Sequence, residues 1–304
     1  MRGTINGLIS ALLVGVTLTI SKVILGQINV VLFTFLIFSV TFAGLFTISV
    51  FQGKFAYLLK LAKEKPLLYL VGFIGALLTL MVFYGLQLSS PGEVAILTRS
   101  DLIFSLLLGV IIWHYRLKVS DWLGLVVMLY GIFLVLDVPL STLKIGSPGS
   151  FWLILSSFLG AVNAEIIKIA FREIDGISIA IFNSGVQTVV YFIVLIYLDG
   201  SSAFHEFATL DPFLIFLLFL SVISQMLQYI TYYRAIKDIP VWVIRVISLL
   251  TPVVSTLTSV WWLNQVLKLS QLIGMLIVGV GVLIITLPQA NSGQKERAKF
   301  DTNV

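Results

Sequence analysis

Long runs of apolar residues recur from one end of this chain to the other, and they constrain its fold more than any other feature. Of the 304 residues, 59% are hydrophobic and only 11% are charged, and the mean hydropathy is +1.09. A water-soluble domain normally carries about 25% charged residues, so this composition excludes one. Because a bilayer is crossed by helices of about 20 apolar residues, the sequence predicts an all-α integral membrane protein.

Hydropathy and helix-breaking residues divide the chain into ten predicted transmembrane helices of about 17–25 residues. A polar segment, 289–304, follows the last of them and is predicted to be a disordered cytoplasmic tail. The chain contains no cysteine, which excludes disulfides and thiolate metal sites. The predicted helices are 4–26, 28–51, 66–88, 91–113, 120–137, 149–170, 177–198, 212–235, 240–262 and 269–287.

The lysine and arginine residues between the predicted helices indicate how the chain is oriented. If the N-terminus is cytoplasmic, the inner segments hold fourteen of them and the outer segments hold three. Because these residues collect in cytoplasmic loops, both termini are predicted to be cytoplasmic, in the plasma or inner membrane of the cell. The net charge of +5 follows from the same rule, so we expect no nucleic-acid partner.

The two halves of the chain repeat each other when one is shifted by about 150 residues. Each half contains five predicted helices, and because five is odd the second half must be inverted in the membrane. Inverted repeats around a site at the bilayer midplane are typical of secondary transporters. We therefore predict one five-helix repeat at 1–140 and an inverted one at 147–288. The matching features are 117–120 with 267–270, Gly124 with Gly274, and Gly131 with Gly281.

Three segments carry a resemblance to a known family: Gly15 to Lys22 in the first predicted helix, Thr251 to Val254 in the ninth, and Ser270 to Gly281 in the tenth. With the ten helices in two inverted halves, they resemble the EamA-type branch of the drug/metabolite transporter superfamily. The resemblance implies transport of amino acids or similar metabolites, often outward. It also implies that the fifth and tenth helices pack outside the cavity, where they could form a homodimer contact.

An arginine and an aspartate interrupt the apolar run of the fourth predicted helix. Asp101 lies about 15 Å along a helix that begins at Pro91, near half the depth of a ~30 Å hydrocarbon core. Arg99 and Asp101 together cost roughly 5–7 kcal/mol on the insertion scale, which about cancels the gain from the surrounding apolar residues. The two side chains are about 200° apart around the helix, so they are not expected to pair with each other. We expect them to contact Glu165, Arg245 or charged groups of the substrate.

Small polar residues form matching stripes on the fourth and ninth predicted helices. In each helix they are spaced i, i+3, i+7, which places them on one face. This pattern predicts a substrate cavity between the halves, although serine and threonine also serve close helix packing. The stripes are Thr98, Asp101 and Ser105 in the fourth helix and Ser248, Thr251 and Ser255 in the ninth.

Further candidates for substrate binding are polar residues inside other predicted helices. Glu165 and Arg245 could instead snorkel to the cytoplasmic interface, and Tyr84 could belong to an interfacial aromatic belt. Asn183 and Gln187 form a comparable i, i+4 pair in the seventh helix. The candidates are Asn163, Glu165, Gln225, Gln228, Tyr229, Arg245 and Tyr84.

The favoured interpretation is a secondary transporter, expected to export small polar metabolites such as amino acids by alternating access. No catalytic residue, metal or cofactor is expected, although Asp101 or Glu165 could couple transport to protons. No G-x-x-x-x-G-K-[ST] loop occurs, so ATP-driven transport within the chain is not expected. A nucleotide-sugar or phosphorylated-metabolite exchanger would need more cations at the midplane. A membrane-embedded enzyme for lipid-linked substrates would need carboxylates or histidines clustered at one interface.

Overall fold

The computed structural model describes residues 2–88, 97–115, 118–136, 148–199, 210–263 and 266–284, and all regular secondary structure in these ranges is α-helical. The first half contains α1 (Arg2–Ile24), α2 (Val30–Phe51), α3 (Phe55–Glu64), α4 (Leu67–Leu88), α5 (Ser100–Trp113) and α6 (Val119–Leu136). The second half contains α7 (Pro148–Ala170), α8 (Gly176–Asp199), α9 (Pro212–Asp238), α10 (Val241–Ser248), α11 (Leu250–Leu263) and α12 (Leu269–Ile284).

The helix boundaries of the second half follow those of the first. Helices α1 and α2 begin at residues 2 and 30, and α7 and α8 begin at 148 and 176, so both pairs are separated by the same offset. Helices α5 and α11 are both 14 residues long and begin at residues 100 and 250. The repeat seen in the sequence therefore extends to the lengths of the helices and to the places where they begin.

Seven segments of the described chain are long and apolar enough to cross a membrane, and the last of them, Val241–Trp262, consists of α10 and α11 together. An eighth span results if α3 and α4, which meet at an angle of 84°, count as one. Helices α5 and α12 are apolar but shorter, and residues 89–96, where the predicted fourth helix begins, lie outside the described ranges. The structure therefore supports a multi-pass membrane protein, with fewer long spans in its described part than the ten predicted. The predicted tail at 289–304 also lies outside these ranges.

The first helix of each half packs along a long helix of the other half: α1 along α9, and α7 along α4. Helices α1 and α9 are antiparallel, because Ser10 contacts Gln228 whereas Leu13, further along α1, contacts Ser224, which comes earlier in α9. Helices α7 and α4 are antiparallel in the same way. Helix α2 packs against α8, and α5 packs against both α7 and α10. These pairings interleave the two halves around the centre of the bundle.

Glycines bring α6 and α12 into direct backbone contact. A Cβ atom on Gly274 would lie 2.6 Å from the carbonyl oxygen of Gly131 and 2.7 Å from the backbone nitrogen of Val135. A Cβ atom on Gly281 would overlap the side chain of Met128. This close packing occurs within one chain, between the helices that correspond to the fifth and tenth predicted helices. The homodimer contact through the same helices stays a prediction.

Candidate functional site

An ion pair joins the two halves where their helices are interrupted. Asp101 lies in the first turn of α5, and Arg245 lies in the last turn of α10, just before the break at Leu249. Arg245 Nη1 lies 3.4 Å from Asp101 Oδ2. The helix dipole favours an anion at an N-terminus and a cation at a C-terminus, so both charges are also stabilised by their own helices. Arg245 is one of the partners that the sequence predicted for Asp101.

Arg245 also connects this pair to a third helix. Its Nη2 donates a hydrogen bond of 3.1 Å to the carbonyl oxygen of Gly160 in α7. The side chains of Arg245 and Asp101 are only 18% and 19% exposed, so neither reaches out to the interface as a snorkelling residue would. Arg245 therefore holds α5, α7 and α10 together from inside the bundle.

A cavity of about 210 Å³ lies beside Arg245, between helices of both halves. Its walls include Gly75 in α4, Asn163 in α7 and Gln228 in α9. Two polar atoms on these walls, Oδ1 of Asn163 and Nε of Arg245, are buried without a hydrogen-bond partner in the described part of the chain. Two residues that line the cavity therefore carry one acceptor atom and one cationic donor atom that no group in the described part of the chain satisfies.

A hydrogen-bonded cluster of amides and tyrosines forms another part of the cavity wall. Asn183 donates to the hydroxyl of Tyr233, and Gln187 donates to Oδ1 of Asn183 and, at 3.2 Å, to the hydroxyl of Tyr229. All four residues line the cavity. The i, i+4 pair noted in the sequence thus forms, and its partners come from α9. Because these groups satisfy one another, they hold a fixed polar surface inside the bundle.

Glu165 and Lys168 form separate contacts near the end of α5. Glu165 Oε2 accepts a hydrogen bond of 2.8 Å from Trp113 Nε1, and its other oxygen is buried without a partner in the described residues. Lys168 Nζ donates to the carbonyl oxygens of Ile236 and Ile239, at 2.9 and 2.6 Å. Lys168 therefore caps the C-terminal end of α9. Glu165 ties α7 to α5 without forming the ion pair with Asp101 or Arg99 that the sequence allowed.

The small polar residues of the ninth predicted helix contact α1 or their own helix. Thr251 Oγ1 donates to the carbonyl oxygen of Ala11 at 3.5 Å, and the Ser255 carbonyl accepts from Thr19 at 3.1 Å. Ser248 donates to a carbonyl one turn earlier in α10. The predicted stripe exists, but the structure places it at a helix-packing contact. Spacing identifies a shared face and does not say which neighbour covers it.

Four other candidates, Arg99, Thr98, Ser105 and Tyr84, are not among the residues that line the cavity. The Nε of Arg99 is buried with no hydrogen-bond partner among the described residues, and the Thr98 carbonyl accepts from Ser157. Ser105 is fully buried. Tyr84 is 49% exposed, and its ring packs edge-on against Trp152. Of the two glutamines of α9, Gln228 lines the cavity and Gln225 donates to Gln228 at 3.1 Å.

Two glycines that line the cavity had no signal in the sequence, because they carry no functional group. A Cβ atom on Gly75 would lie 3.1 Å from Asn183 Oδ1 and 3.1 Å from Gln187 Nε2. A Cβ atom on Gly160 would lie 3.9 Å from Arg245 Nη2, which is ordinary contact. Gly75 therefore sets how closely α4 approaches the amide cluster. Within the described ranges, no three His, Asp or Glu residues are grouped as metal ligands would be.

These two glycines give a matched test of the cavity. Gly75→Ala is expected to displace the amide cluster and to lower the rate of the transport predicted from the sequence severalfold, with little change in expression. Gly160→Ala adds the same methyl group to the same cavity where there is room for it, and should change transport less than twofold. Initial rates of uptake into vesicles measure both. Equal rates of uptake for the two variants would show that the position of the amide cluster does not affect transport.

The long apolar helices and the matching helix boundaries of the two halves define a multi-pass membrane protein built from two repeats. The sequence model of the EamA-like transporter family matches residues 1–137 and 147–287. The chain therefore belongs to the EamA-like transporter family.

Comparison with solved structures agrees with this fold. Twenty-nine chains match. One of them, a crystal structure, is similar with a TM-score of 0.78 at 18% sequence identity, over 94% of this chain and 96% of that chain. At this identity the likeness concerns the fold alone. The comparison with curated proteins gave no match.

Proposed function

We propose that this protein is a secondary transporter that exports small zwitterionic metabolites, such as amino acids, by alternating access. In this proposal the chain crosses the plasma or inner membrane ten times as two inverted five-helix repeats, with both termini in the cytoplasm. In this proposal the break at Thr98 and Arg99 before α5 and the break at Leu249 between α10 and α11 lie inside the fourth and ninth spans. Discontinuous helices near the midplane are the usual place for substrate sites in such transporters.

The observation that carries the proposal is the Asp101–Arg245 ion pair between the halves, beside a cavity lined by both polar and apolar side chains. Any movement of one half against the other must separate these charges, which is unfavourable in a buried site. A substrate carboxylate could bind Arg245, while its ammonium group could bind Asp101 and the free oxygen of Asn163. A zwitterion would thus replace the ion pair during the movement and lower its barrier.

The size of the cavity agrees with a small substrate. At ~30 Å³ per water molecule, 210 Å³ corresponds to about seven waters. Sites for drug-sized ligands are typically about 300–1,000 Å³. A nucleotide sugar would therefore not fit in this conformation, and its phosphates would find only Arg245 among the charged residues that line the described cavity. Both points favour a small zwitterion over a phosphorylated substrate.

Proteoliposome uptake with a panel of labelled amino acids, with and without a pH gradient, tests the proposal. Uptake above that of empty liposomes is expected for at least one amino acid, and Asp101→Asn should reduce it at least tenfold. Asp211→Asn is the matched control, because it also removes a carboxylate but keeps the N-cap on Phe213, which asparagine serves equally well. Stimulation by the gradient would indicate proton coupling. No uptake of any amino acid would contradict the substrate class.

A further inference from the structure

A second cavity lies at the ends of α1 and α9, apart from the central one. It has a volume of about 460 Å³ and is open to the surroundings. Gly3 lets the two helices meet there, because a Cβ atom on it would lie only 2.5 Å from Cβ of Asp238. The cavity is lined by Arg2, Ile5, Asn6, Arg234, Lys237 and Asp238.

Positive charge is in excess in this cavity, which is lined by three cations and one carboxylate, and none of the three cations forms an ion pair within the described part of the chain. Lys237 donates to the carbonyl oxygen of Ile174. Arg2 and Arg234 are the two exposed cations of this cavity. By contrast, Lys60 at another exposed position pairs with Glu64. Two guanidinium groups of this kind suit a phosphate group, which arginine can bind through two parallel hydrogen bonds.

Apolar side chains extend from the cavity along both helices. Ile5, Ile9 and Leu12 in α1 are spaced i, i+4, i+7 and are 49%, 40% and 49% exposed. Leu227 and Ile223 continue the surface on α9, at 47% and 38% exposed. Because both helices are membrane spans, this surface faces lipid chains. The cations thus lie at the head of an apolar groove, which matches an amphiphile better than a soluble anion.

We propose that this cavity binds the headgroup of an anionic phospholipid, with the acyl chains lying along α1 and α9. The distribution of lysine and arginine along the chain assigns the site to the cytoplasmic leaflet, where basic pockets between transmembrane helices bind such headgroups. Helices α1 and α9 belong to different halves, so the bound lipid bridges the two repeats. The proposal does not depend on which substrate the central cavity takes.

Titration of the detergent-solubilised full chain with phosphatidylglycerol or phosphatidylcholine, followed by native mass spectrometry, tests the site. Phosphatidylglycerol is expected to bind at least tenfold more tightly than phosphatidylcholine. Each cation near a phosphate contributes about fivefold to affinity, so Arg2→Gln with Arg234→Gln should weaken phosphatidylglycerol binding roughly 30-fold. The matched control, Lys60→Gln with Lys63→Gln, removes two exposed cations outside the cavity and should change it less than twofold.

Two more measurements distinguish a bound lipid from a bound soluble anion and from misfolding of the variant. Glycerol phosphate at millimolar concentration should leave the bound lipid in place, and its displacement of the lipid would overturn the proposal in favour of a soluble anion. The pair Arg2→Lys and Arg234→Lys keeps both charges but loses the paired hydrogen bonds, so it should bind phosphatidylglycerol more tightly than the glutamine variant and less tightly than the unchanged protein. Size-exclusion chromatography of the glutamine variant excludes misfolding as the cause of its loss of binding. Equal affinity for the two lipids, or an unchanged affinity in the glutamine variant, would also overturn it.

Discussion

Arg245→Gln is expected to abolish transport and to lower the free energy of unfolding by about 3 kcal/mol. The substitution leaves Asp101 buried without its cation and leaves the carbonyl of Gly160 without its donor. It also removes the only charged group among the described residues that line the central cavity. Uptake into proteoliposomes and thermal unfolding of the purified protein measure the two effects. Arg172→Gln, at an exposed position in the loop between α7 and α8, is the control and should change neither.

The double variant Asp101→Asn with Arg245→Gln separates stability from transport. Removing both charges takes away the uncompensated carboxylate, so the loss of stability should be clearly smaller than for Arg245→Gln alone. Transport should stay at background, because the cavity has lost both groups proposed to bind a zwitterion. If the stability loss of the double variant equals the sum of the two single losses, the two side chains contribute no interaction energy to the folded protein. Restored transport would show that the charges do not bind substrate.

Gly274→Val is expected to destabilise the protein by about 3 kcal/mol or to prevent its expression. The new Cβ atom would meet backbone atoms of α6 at 2.6 and 2.7 Å, and a backbone cannot move aside as a side chain can. Gly279→Val, one turn further along α12, is the matched control. A Cβ atom there meets nothing within 4 Å in the described structure, so little change is expected. Thermal unfolding and size-exclusion chromatography of the two variants provide the comparison.

If both valine variants were equally stable, α6 and α12 would not pack through these glycines. If both were equally destabilised, the surface around Gly279 would be covered as well, for example by a second copy of the chain. The second result would support the homodimer contact through these helices.

The class of the protein and its repeated organisation could be predicted from the sequence because both depend on patterns along the chain. Apolar runs of sufficient length indicate spans, and the 150-residue shift indicates repeats. The number of spans was harder to predict, because the fourth and ninth predicted helices are interrupted near Arg99 and Leu249 in the structure. Such breaks occur where neighbouring helices supply contacts, and those neighbours are distant in the sequence.

The site could be predicted only in part, because the spacing of polar residues identifies the helix face they share but not the helix that packs against that face. Asp101 could be identified as a candidate because it is a charged residue within an apolar run, and Arg245 was among its few candidate partners. Thr251 and Ser255 had the same spacing as Asp101 and its neighbours, yet they contact α1 and not the cavity. Gly75 and Gly160 line the cavity without any chemical signal. Only the packing of α4 against α7 and α8 reveals their role.

Accessibility of the central cavity from the two sides of the membrane tests the transport account most directly. The chain contains no cysteine, so Leu78→Cys introduces a single thiol into the cavity wall without further substitutions. Ile193→Cys, at a 60% exposed position on a membrane-spanning helix, is the lipid-facing control and should resist a charged, membrane-impermeant thiol reagent. The account predicts that the thiol at position 78 reacts with this reagent from either side of sealed vesicles, and that a transported amino acid slows both reactions. Reaction from one side only under all conditions, or no more reaction than at position 193, would contradict alternating access through this cavity.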